Sequence, residues 1–330
     1  MISEYIVDVT VNATEAVRGE TVLEFNITLT KYYQVANGSV VLEDITDDEV
    51  IASVNVINGF GSITYVFPSN ASLRDHVIRA IIDDTYDEVT IYVRTPVTLN
   101  ITVSEPVIRN YTVIISGYVY DSAGQPVPGA LVYIYWNGEL IGQCYTNTEG
   151  YYEFIYTVPS DSIGEITVSA EAIGYDPYLN STIVTSTVNV LAGSRLEIST
   201  NSTYYYRGQI ANIYGRLLLD NSSAVSNALI MLYWGSVNIA NVTTSSDGSF
   251  SYSYLINDTH RFTAVTVKAV YIGNNTIYES DATCTVYVRS HTYLSLNVYE
   301  DTVKHGNYIH FDISLKDEDS NPIEGATVDI

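Results

Sequence analysis

Apolar and polar side chains alternate from one position to the next along most of this chain, the pattern of strands that bury one face. Residues 23–29 place Leu, Phe, Ile and Leu between Glu, Asn and Thr, and residues 97–103 and 113–119 repeat the alternation. Turn residues separate such stretches at intervals of about 8 to 12 positions, and almost no run follows the helical period. The sequence therefore predicts an all-β protein of seven-stranded antiparallel sandwiches.

One stretch recurs along the chain and determines its organisation. Residues 125–136 read QPVPGALVYIYW, in which turn-forming Pro and Gly lead into a strand that ends on Trp136. Residues 321–330 read NPIEGATVDI and match the first copy at five of ten positions, 196 residues later. A diverged copy, SAVSNALIMLYW, lies midway and ends on Trp234. The spacing predicts a tandem β module of about 98 residues, with Trp136 and Trp234 in equivalent core positions.

The repeat divides the chain into three modules and part of a fourth. We predict Ig-like sandwiches over residues 1–95, 96–191 and 192–289, the first of them a diverged copy without the Pro-x-x-Gly turn. Residues 290–330 supply only three predicted strands, which are too few to bury both sheets. Two explanations stay open, since either the sequence is cut within this module or a partner chain completes it with added strands.

The joints between modules are short. Only a few residues separate the last strand of one module from the first strand of the next, and no joint is a Gly/Ser tract. Because one strand of about 8 to 10 residues rises roughly 30 Å, the modules are expected to stand end to end in a rod on the order of 100 Å long. Met1 leads directly into a strand and Ile330 falls within a module, which suggests a piece of a longer surface protein.

Composition narrows the classes of partner. The formal net charge is −24, with 14 Lys and Arg against 38 Asp and Glu, which argues against nucleic acid and anionic membranes. No apolar run predicts direct insertion into a membrane, and no signal peptide precedes the first strand. Cys144 and Cys284 lie in different modules, so a disulfide within a module is excluded, and Cys284 is expected to be a small buried side chain.

Acceptor motifs for N-linked glycans are frequent. Asn-X-Ser/Thr, with X other than Pro, accounts for half of the 24 Asn residues. The predicted glycosylation sites are Asn12, Asn26, Asn37, Asn70, Asn100, Asn110, Asn180, Asn201, Asn221, Asn241, Asn257 and Asn274. Either glycans cover the surface, or a β protein rich in Ser, Thr and Asn collects the motif through its composition. Strand alternation turns Asn26 and Asn100 outward and most others fall in turns, which favours glycans.

The run SGYVYDSAGQPVPGALVYIYW from Ser116, followed by TNTEGYYEFIYTVP and SAEAIGYDPY, resembles the carboxypeptidase-regulatory-like and bacterial Ig-like (Big) β-sandwich domains. The resemblance covers the second and third modules well and the first loosely. It implies tandem sandwiches of a prokaryotic cell-surface protein, such as an adhesin or surface-layer (S-layer) component. The many glycosylation motifs and the scarce Lys are similar to those of archaeal surface glycoproteins. Trp136 and Trp234 resemble the core Trp of Ig domains, whose cysteine pair is absent here.

Catalytic and metal-binding motifs are scarce. The five His residues have no metal-ligand spacing such as H-E-x-x-H, and neither a nucleophile elbow nor a phosphate-binding loop is present. A structural calcium ion is the one cofactor to consider, because Ca²⁺ takes several oxygen ligands from a tight loop. The best candidate ligands lie near the first joint and are Asp83, Asp84, Asp87 and Glu88.

Outward-facing tyrosines suggest a second function. Tyr118, Tyr133 and Tyr135 are expected to form an aromatic strip on one sheet, which either binds carbohydrate or packs against glycans or a neighbouring module. The favoured function is a non-enzymatic extracellular stalk or surface-layer segment. Its expected partners are neighbouring copies or other surface proteins and N-linked glycans. The alternatives are a carbohydrate-binding adhesin and an ancillary region of a secreted hydrolase.

Overall fold

The computed structural model describes residues 4–329. All regular elements among these residues are β-strands, and the named strands pair antiparallel apart from three short parallel pairs. The prediction of an all-β fold of antiparallel Ig-like sandwiches is confirmed. The chain divides into two compact units, one that ends at Val190 and one that begins at Leu191. Three separate clusters of buried apolar side chains lie within residues 7–93, 97–190 and 196–288.

Strands β1 to β9 form the first sandwich. One sheet contains β1, β3, β4 and β7, and the other contains β6, β5, β8 and β9, with β2 parallel to β9. Four side chains that alternate along β3 are fully buried: Leu23, Phe25, Ile27 and Leu29. The strands are β1 (Tyr5–Val11), β2 (Glu15–Val17), β3 (Leu23–Lys31), β4 (Gln34–Val35), β5 (Gly38–Asp44), β6 (Glu49–Val56), β7 (Phe60–Tyr65), β8 (Asp75–Ile82) and β9 (Thr85–Leu99).

The second sandwich begins with the end of β9. One sheet pairs β10, β11, β14 and the last residues of β9, and the other has the order β13-β12-β15-β17. The short strand β16 lies parallel to β9. The strands are β10 (Thr102–Val103), β11 (Thr112–Asp121), β12 (Leu131–Trp136), β13 (Glu139–Tyr145), β14 (Tyr151–Thr157), β15 (Gly164–Ile173), β16 (Tyr178–Leu179) and β17 (Val184–Val190).

The second unit contains a third sandwich of the same plan. One sheet has the order β18-β20-β23 and the other β22-β21-β24-β25, with β19 parallel to β25. The strands are β18 (Ser194–Thr200), β19 (Tyr204–Tyr206), β20 (Ile210–Leu219), β21 (Leu229–Trp234), β22 (Val237–Thr243), β23 (Ser249–Leu255), β24 (Ala264–Tyr271) and β25 (Ser280–Arg289).

The two Trp residues occupy matching environments. Trp136 is 5% exposed with its ring 5.1 Å from that of Tyr156, and Trp234 is 6% exposed with its ring 5.0 Å from that of Tyr254. A register shift precedes the last two residues of both strands. Neither indole Nε1 has a hydrogen-bond partner. These equivalent surroundings show that the sequence repeat is a repeat of tertiary structure.

The second unit ends in a two-stranded antiparallel sheet of β26 (Tyr293–Val298) and β27 (Phe311–Lys316). The third strand expected over residues 326–330 does not form in the described residues 326–329, and Ile330 lies outside the described residues. Leu294 pairs with Leu315 as Leu99 pairs with Val119, yet Leu294 is 57% exposed and Leu99 only 9%. Among the described residues 290–329, no second layer of strands covers Leu294 as the second sheet covers Leu99 in the second sandwich.

Candidate functional sites

The joint between the first two sandwiches is one uninterrupted strand. β9 pairs with β8 in the first sandwich and continues into the second, where Val97 and Leu99 pair with β11. At the midpoint of the joint Thr95 is fully buried, and Tyr178 and Leu179 of β16 flank the strand in parallel. The sequence predicts a short joint, and the structure shows that the joint belongs to the sheets of both sandwiches. Backbone hydrogen bonds therefore restrain it.

A buried arginine crosses this joint. Arg18 follows β2 of the first sandwich and is 4% exposed. Its Nη2 lies 2.8 Å from Oδ2 of Asp121, at the end of β11 in the second sandwich. Its Nε donates to Ser122 Oγ at 2.9 Å, and its Nη1 donates to the carbonyl of Ala71 at 2.7 Å. Removing one partner of such a buried ion pair costs about 3–5 kcal/mol, because the other charge is left uncompensated.

Further contacts surround the ion pair at the surface of the joint. Tyr92 on β9 donates a hydrogen bond from its hydroxyl to Asp176 Oδ2 at 2.6 Å, and this bond raises the pKa of Tyr92. Arg94, two residues along β9, lies 3.6 Å from the same carboxylate. Thr95 Oγ1 donates to Ser122 Oγ at 2.9 Å. The first sandwich therefore contacts the second through both charged and neutral groups.

The first sandwich also contains a buried histidine that the sequence analysis missed. His76 is fully buried, with Nδ1 2.6 Å from Asp44 Oδ2 and Nε2 2.7 Å from the carbonyl of Ser72. Both oxygens are acceptors, so this geometry favours the protonated ring, in which both nitrogens donate. Burial alone would lower the pKa of His76, but the hydrogen bonds to Asp44 and Ser72 and the charges of Asp44 and Asp47 outweigh it, so the pKa is raised.

Within residues 4–329, only this cluster brings three metal-ligating atoms together, those of Asp44, Asp47 and His76, within 4.8 Å of one another. An imidazolium that donates from both nitrogens has no lone pair for a metal ion. The cluster is therefore better described as a structural ion pair that links the end of β5 to β8. Asp44 belongs to the acidic run 43–49, but the sequence does not show which of those carboxylates turns inward.

The candidate calcium ligands point to different partners. Asp83 and Asp84 form the hairpin tip between β8 and β9. Asp87 Oδ2 accepts the N–H of Val9 at 2.9 Å, and Glu88 pairs with Arg79 at 2.7 Å. Successive strand residues point to opposite faces, so Asp87 and Glu88 cannot converge on one ion. This geometry lends no support to a calcium site.

The expected single strip of outward tyrosines is wrong. Tyr118 lies on β11, whereas Tyr133 and Tyr135 lie on β12, which belongs to the other sheet of the sandwich. Tyr118 instead stacks on Tyr120, with ring centroids 5.9 Å apart, and contacts Tyr151 of the neighbouring strand β14 at 5.2 Å. The outer face of the β11–β14 pair therefore carries a small aromatic cluster of its own.

The side chains in the glycosylation motifs are accessible, apart from Asn26, which is half-buried. In several motifs the side-chain Oδ1 accepts a backbone N–H. Asn100 accepts from Tyr118 at 2.8 Å, and Asn274 accepts from Thr276, the hydroxyl residue of its own motif, at 2.8 Å. Occupancy by glycans stays a prediction. The described residues contain no helix long and apolar enough to cross a membrane.

Comparison with known proteins identifies the fold of the middle of the chain. Residues 114–201 are similar to the carboxypeptidase regulatory-like domain. This match confirms the carboxypeptidase-regulatory-like part of the resemblance, while the archaeal and surface-layer parts stay predictions. None of the curated proteins compared with the sequence matches it.

Several solved structures are similar over most of the chain at low identity. A tetra-tandem repeat from the extending region of a large adhesion protein is 17% identical, with 96% of this chain and 89% of that chain covered and a TM-score of 0.31. The ICAM-5 D1–D4 ectodomain fragment is 12% identical, with 96% and 84% covered and a TM-score of 0.49. The α-2-macroglobulin of Escherichia coli is 13% identical with a TM-score of 0.26, and the chain covers 25% of its length.

Proposed function

We propose that this chain is a non-enzymatic structural segment of an extracellular protein, in which sandwich modules follow one another as a glycosylated stalk or surface-layer array. The joint between the first two modules carries the proposal. There β9 passes from one sandwich into the next without a break, and Arg18 is buried between them against Asp121. A continuous strand with a buried ion pair transmits force between modules and resists bending, as a stalk requires.

The buried ionisable groups support the same function. Arg18, Asp44, His76 and Asp121 are all nearly or fully buried, and each pairs with another protein group. Catalytic acids and bases need a perturbed group that faces a substrate cleft. Here the buried ionisable groups lie inside a sandwich or between two sandwiches, where they stabilise the fold. The net charge of −24 and the exposed glycosylation motifs suit a hydrated surface.

Two measurements test this function. Antibodies raised against the recombinant chain are expected to label intact cells of the source organism, and the intact mass of the native protein is expected to exceed 36.5 kDa by several glycans per chain. Labelling that appears only after the cells are permeabilised would contradict the extracellular location. The bare polypeptide mass, corrected for any additional sequence, would contradict the glycans. A catalytic domain encoded in the same gene would favour the ancillary region of a hydrolase.

The aromatic cluster on β11 and β14 supports a second candidate function, the binding of carbohydrate. Tyr118 is 37% exposed and lies directly opposite Tyr151, whose hydroxyl donates to Glu153 at 2.8 Å. Aromatic rings beside a carboxylate are suited to stacking on a sugar and accepting its hydroxyl protons. A glycan array tests this function. Binding lost in Tyr118→Ser but kept in Tyr214→Ser, an exposed tyrosine of the third sandwich, would support it, and an array without binding would exclude it for the glycans tested.

A further inference from the structure

Three arginines occupy one position of the repeat. They are Arg18, Arg109 and Arg207. Each precedes a residue with positive φ, and these residues are Gly19, Asn110 and Gly208, with φ of 77°, 66° and 81°. The second long strands of the three modules are β3, β11 and β20, and they pair with β7, β14 and β23. The N–H of each positive-φ residue donates to a carbonyl just after β7, β14 or β23, and the acceptors are Phe67, Val158 and Ile256. Because the backbone geometry matches in all three modules, the arginines leave their sandwiches at the same place.

Within the second unit, Arg207 binds the partial fourth module. Its side chain is 10% exposed, and its Nη1 and Nη2 lie 2.5 and 3.0 Å from the two carboxylate oxygens of Asp319. The guanidinium also donates from Nε to the carbonyl of His260 at 2.8 Å and lies 3.9 Å from the ring centroid of Phe262. This fork-to-fork pairing lowers the pKa of Asp319 and raises that of Arg207. Its geometry selects a carboxylate over a neutral oxygen.

Arg18 and Arg207 bind the same turn of the module that follows them. Asp121 begins the turn after β11 and accepts through Oδ1 the N–H groups of Ala123 and Gln125. Asp317 begins the turn after β27 and accepts the N–H groups two and four residues further on in the same way. In the turn after β11 the first residue, Asp121, supplies the carboxylate that pairs with Arg18. In the turn after β27 the third residue, Asp319, supplies the carboxylate that pairs with Arg207.

We propose that this arginine, as Arg18 in the first unit and Arg207 in the second, is the receptor through which a module holds its successor, and that its ligand is a carboxylate in the turn after the second long strand of that next module. The contact fixes the angle between the two modules that it joins, in addition to the restraint that the short joint imposes. The inference deepens the proposed structural function and rests on it for its biological meaning.

The chain itself contains a module that this receptor would not accept. In the first sandwich, the corresponding hairpin after β3 carries Lys31, Tyr32 and Tyr33, and Lys31 pairs with Glu4 at 2.7 Å. A guanidinium directed at this hairpin would meet an ammonium group. The receptor therefore discriminates between modules by charge, which restricts the order in which modules dock.

Distances between spin labels in the full chain test the receptor. In a background of Cys144→Ala and Cys284→Ala, labels at Asn55→Cys on β6 and Glu139→Cys on β13 report on the first joint, since both sites are exposed. The unaltered joint is expected to give one narrow distance population. Circular dichroism and thermal unfolding of each variant establish that its sandwiches are folded before the distances are compared.

Two substitutions break the contact in different ways. Arg18→Met keeps the length of the side chain without its charge, and Asp121→Asn keeps the Oδ1 acceptor that closes the turn. Both are expected to abolish the single narrow population and broaden the distance distribution. Arg195→Met is the matched control, because Arg195 is exposed and pairs only at the surface with Glu197. Should one variant fail to fold, the other still decides the question.

The joint between the third sandwich and the partial fourth module gives an independent measurement. Labels at Asn238→Cys and Asn297→Cys in the second unit are expected to give a broader distribution in Arg207→Met than in the parent protein. Distributions that stay narrow in the folded variants at both joints would overturn the receptor. This test is independent of the cell-labelling test of the proposed function. Labelling can show that the protein is intracellular while the spin-label distances support the receptor, or that it is at the surface while the distances refute the receptor.

Discussion

Replacing Gly117 by Ala is expected to destabilise the second sandwich strongly. Gly117 lies in the middle of β11, where a Cβ would stand only 2.1 Å from the carbonyl oxygen of Asn100 and 2.8 Å from the hydroxyl of Tyr152. That hydroxyl donates to the same carbonyl oxygen at 2.6 Å, and Tyr152 is 1% exposed. Glycine is therefore required because the backbone at Asn100, between β9 and β10, lies directly against β11.

The cost follows from what must move. A backbone carbonyl cannot rotate away as a long side chain does, so Asn100 has to shift and the buried hydroxyl of Tyr152 loses its acceptor. Overpacking costs about 1–3 kcal/mol and an unsatisfied buried polar group about 1–3 kcal/mol, together about 2–6 kcal/mol. This is a large share of the roughly 5–15 kcal/mol that stabilises a domain. At about 4–8 °C per kcal/mol, the Tm of this sandwich falls by at least about 8 °C.

Trp fluorescence measures this change in a single sandwich. In a Trp234→Phe background, Trp136 is the remaining indole, so its emission on heating follows the second sandwich alone. Gly124→Ala is the control, because its Cβ would meet nothing within 4 Å and its φ of 75° imposes only backbone strain, about 1–2 kcal/mol. Tyr152→Phe removes the hydrogen bond without the clash. If Gly117→Ala melts together with Gly124→Ala, the steric argument is wrong.

Three further predictions concern buried or half-buried groups. The protonated ring of His76 stabilises the first sandwich. This stability is fully present below the unfolded pKa of about 6.5 and is lost as the pH rises through the raised folded pKa. The urea midpoint of that sandwich is therefore expected to fall over this pH range, and to fall less in His76→Gln. Trp136→Phe is expected to change the unfolding free energy by less than about 1.5 kcal/mol, because the substitution removes an indole N–H that has no acceptor. Circular dichroism in denaturant measures the free energy, and a loss of about 3 kcal/mol or more would contradict this prediction. Burial raises the pKa of Cys144 to about 11 and also raises that of Cys284, so iodoacetamide at about pH 8 is expected to modify both thiols only after unfolding, whereas rapid modification of the native protein would refute their protection.

The sequence alone determined the fold class and the repeat. Strand alternation is a local property, since each side chain of β3 faces either the core or the solvent according to its position. The recurrence of one turn and strand ending on Trp136 and Trp234 predicted equivalent modules, because the same local pattern buries the same side chains. The exposure of most glycosylation motifs follows from the same alternation and from turn chemistry.

Tertiary structure decided which of these faces meet. Alternation turned Tyr118 and Tyr135 outward but left open that they belong to different sheets, because sheet membership depends on pairing between distant strands. His76 and Asp44 are 32 residues apart, and Arg18 and Ser122 are 104 apart. No local pattern brings such groups together. The folded chain places them in contact, and their burial then makes the paired state much more stable than either charge alone.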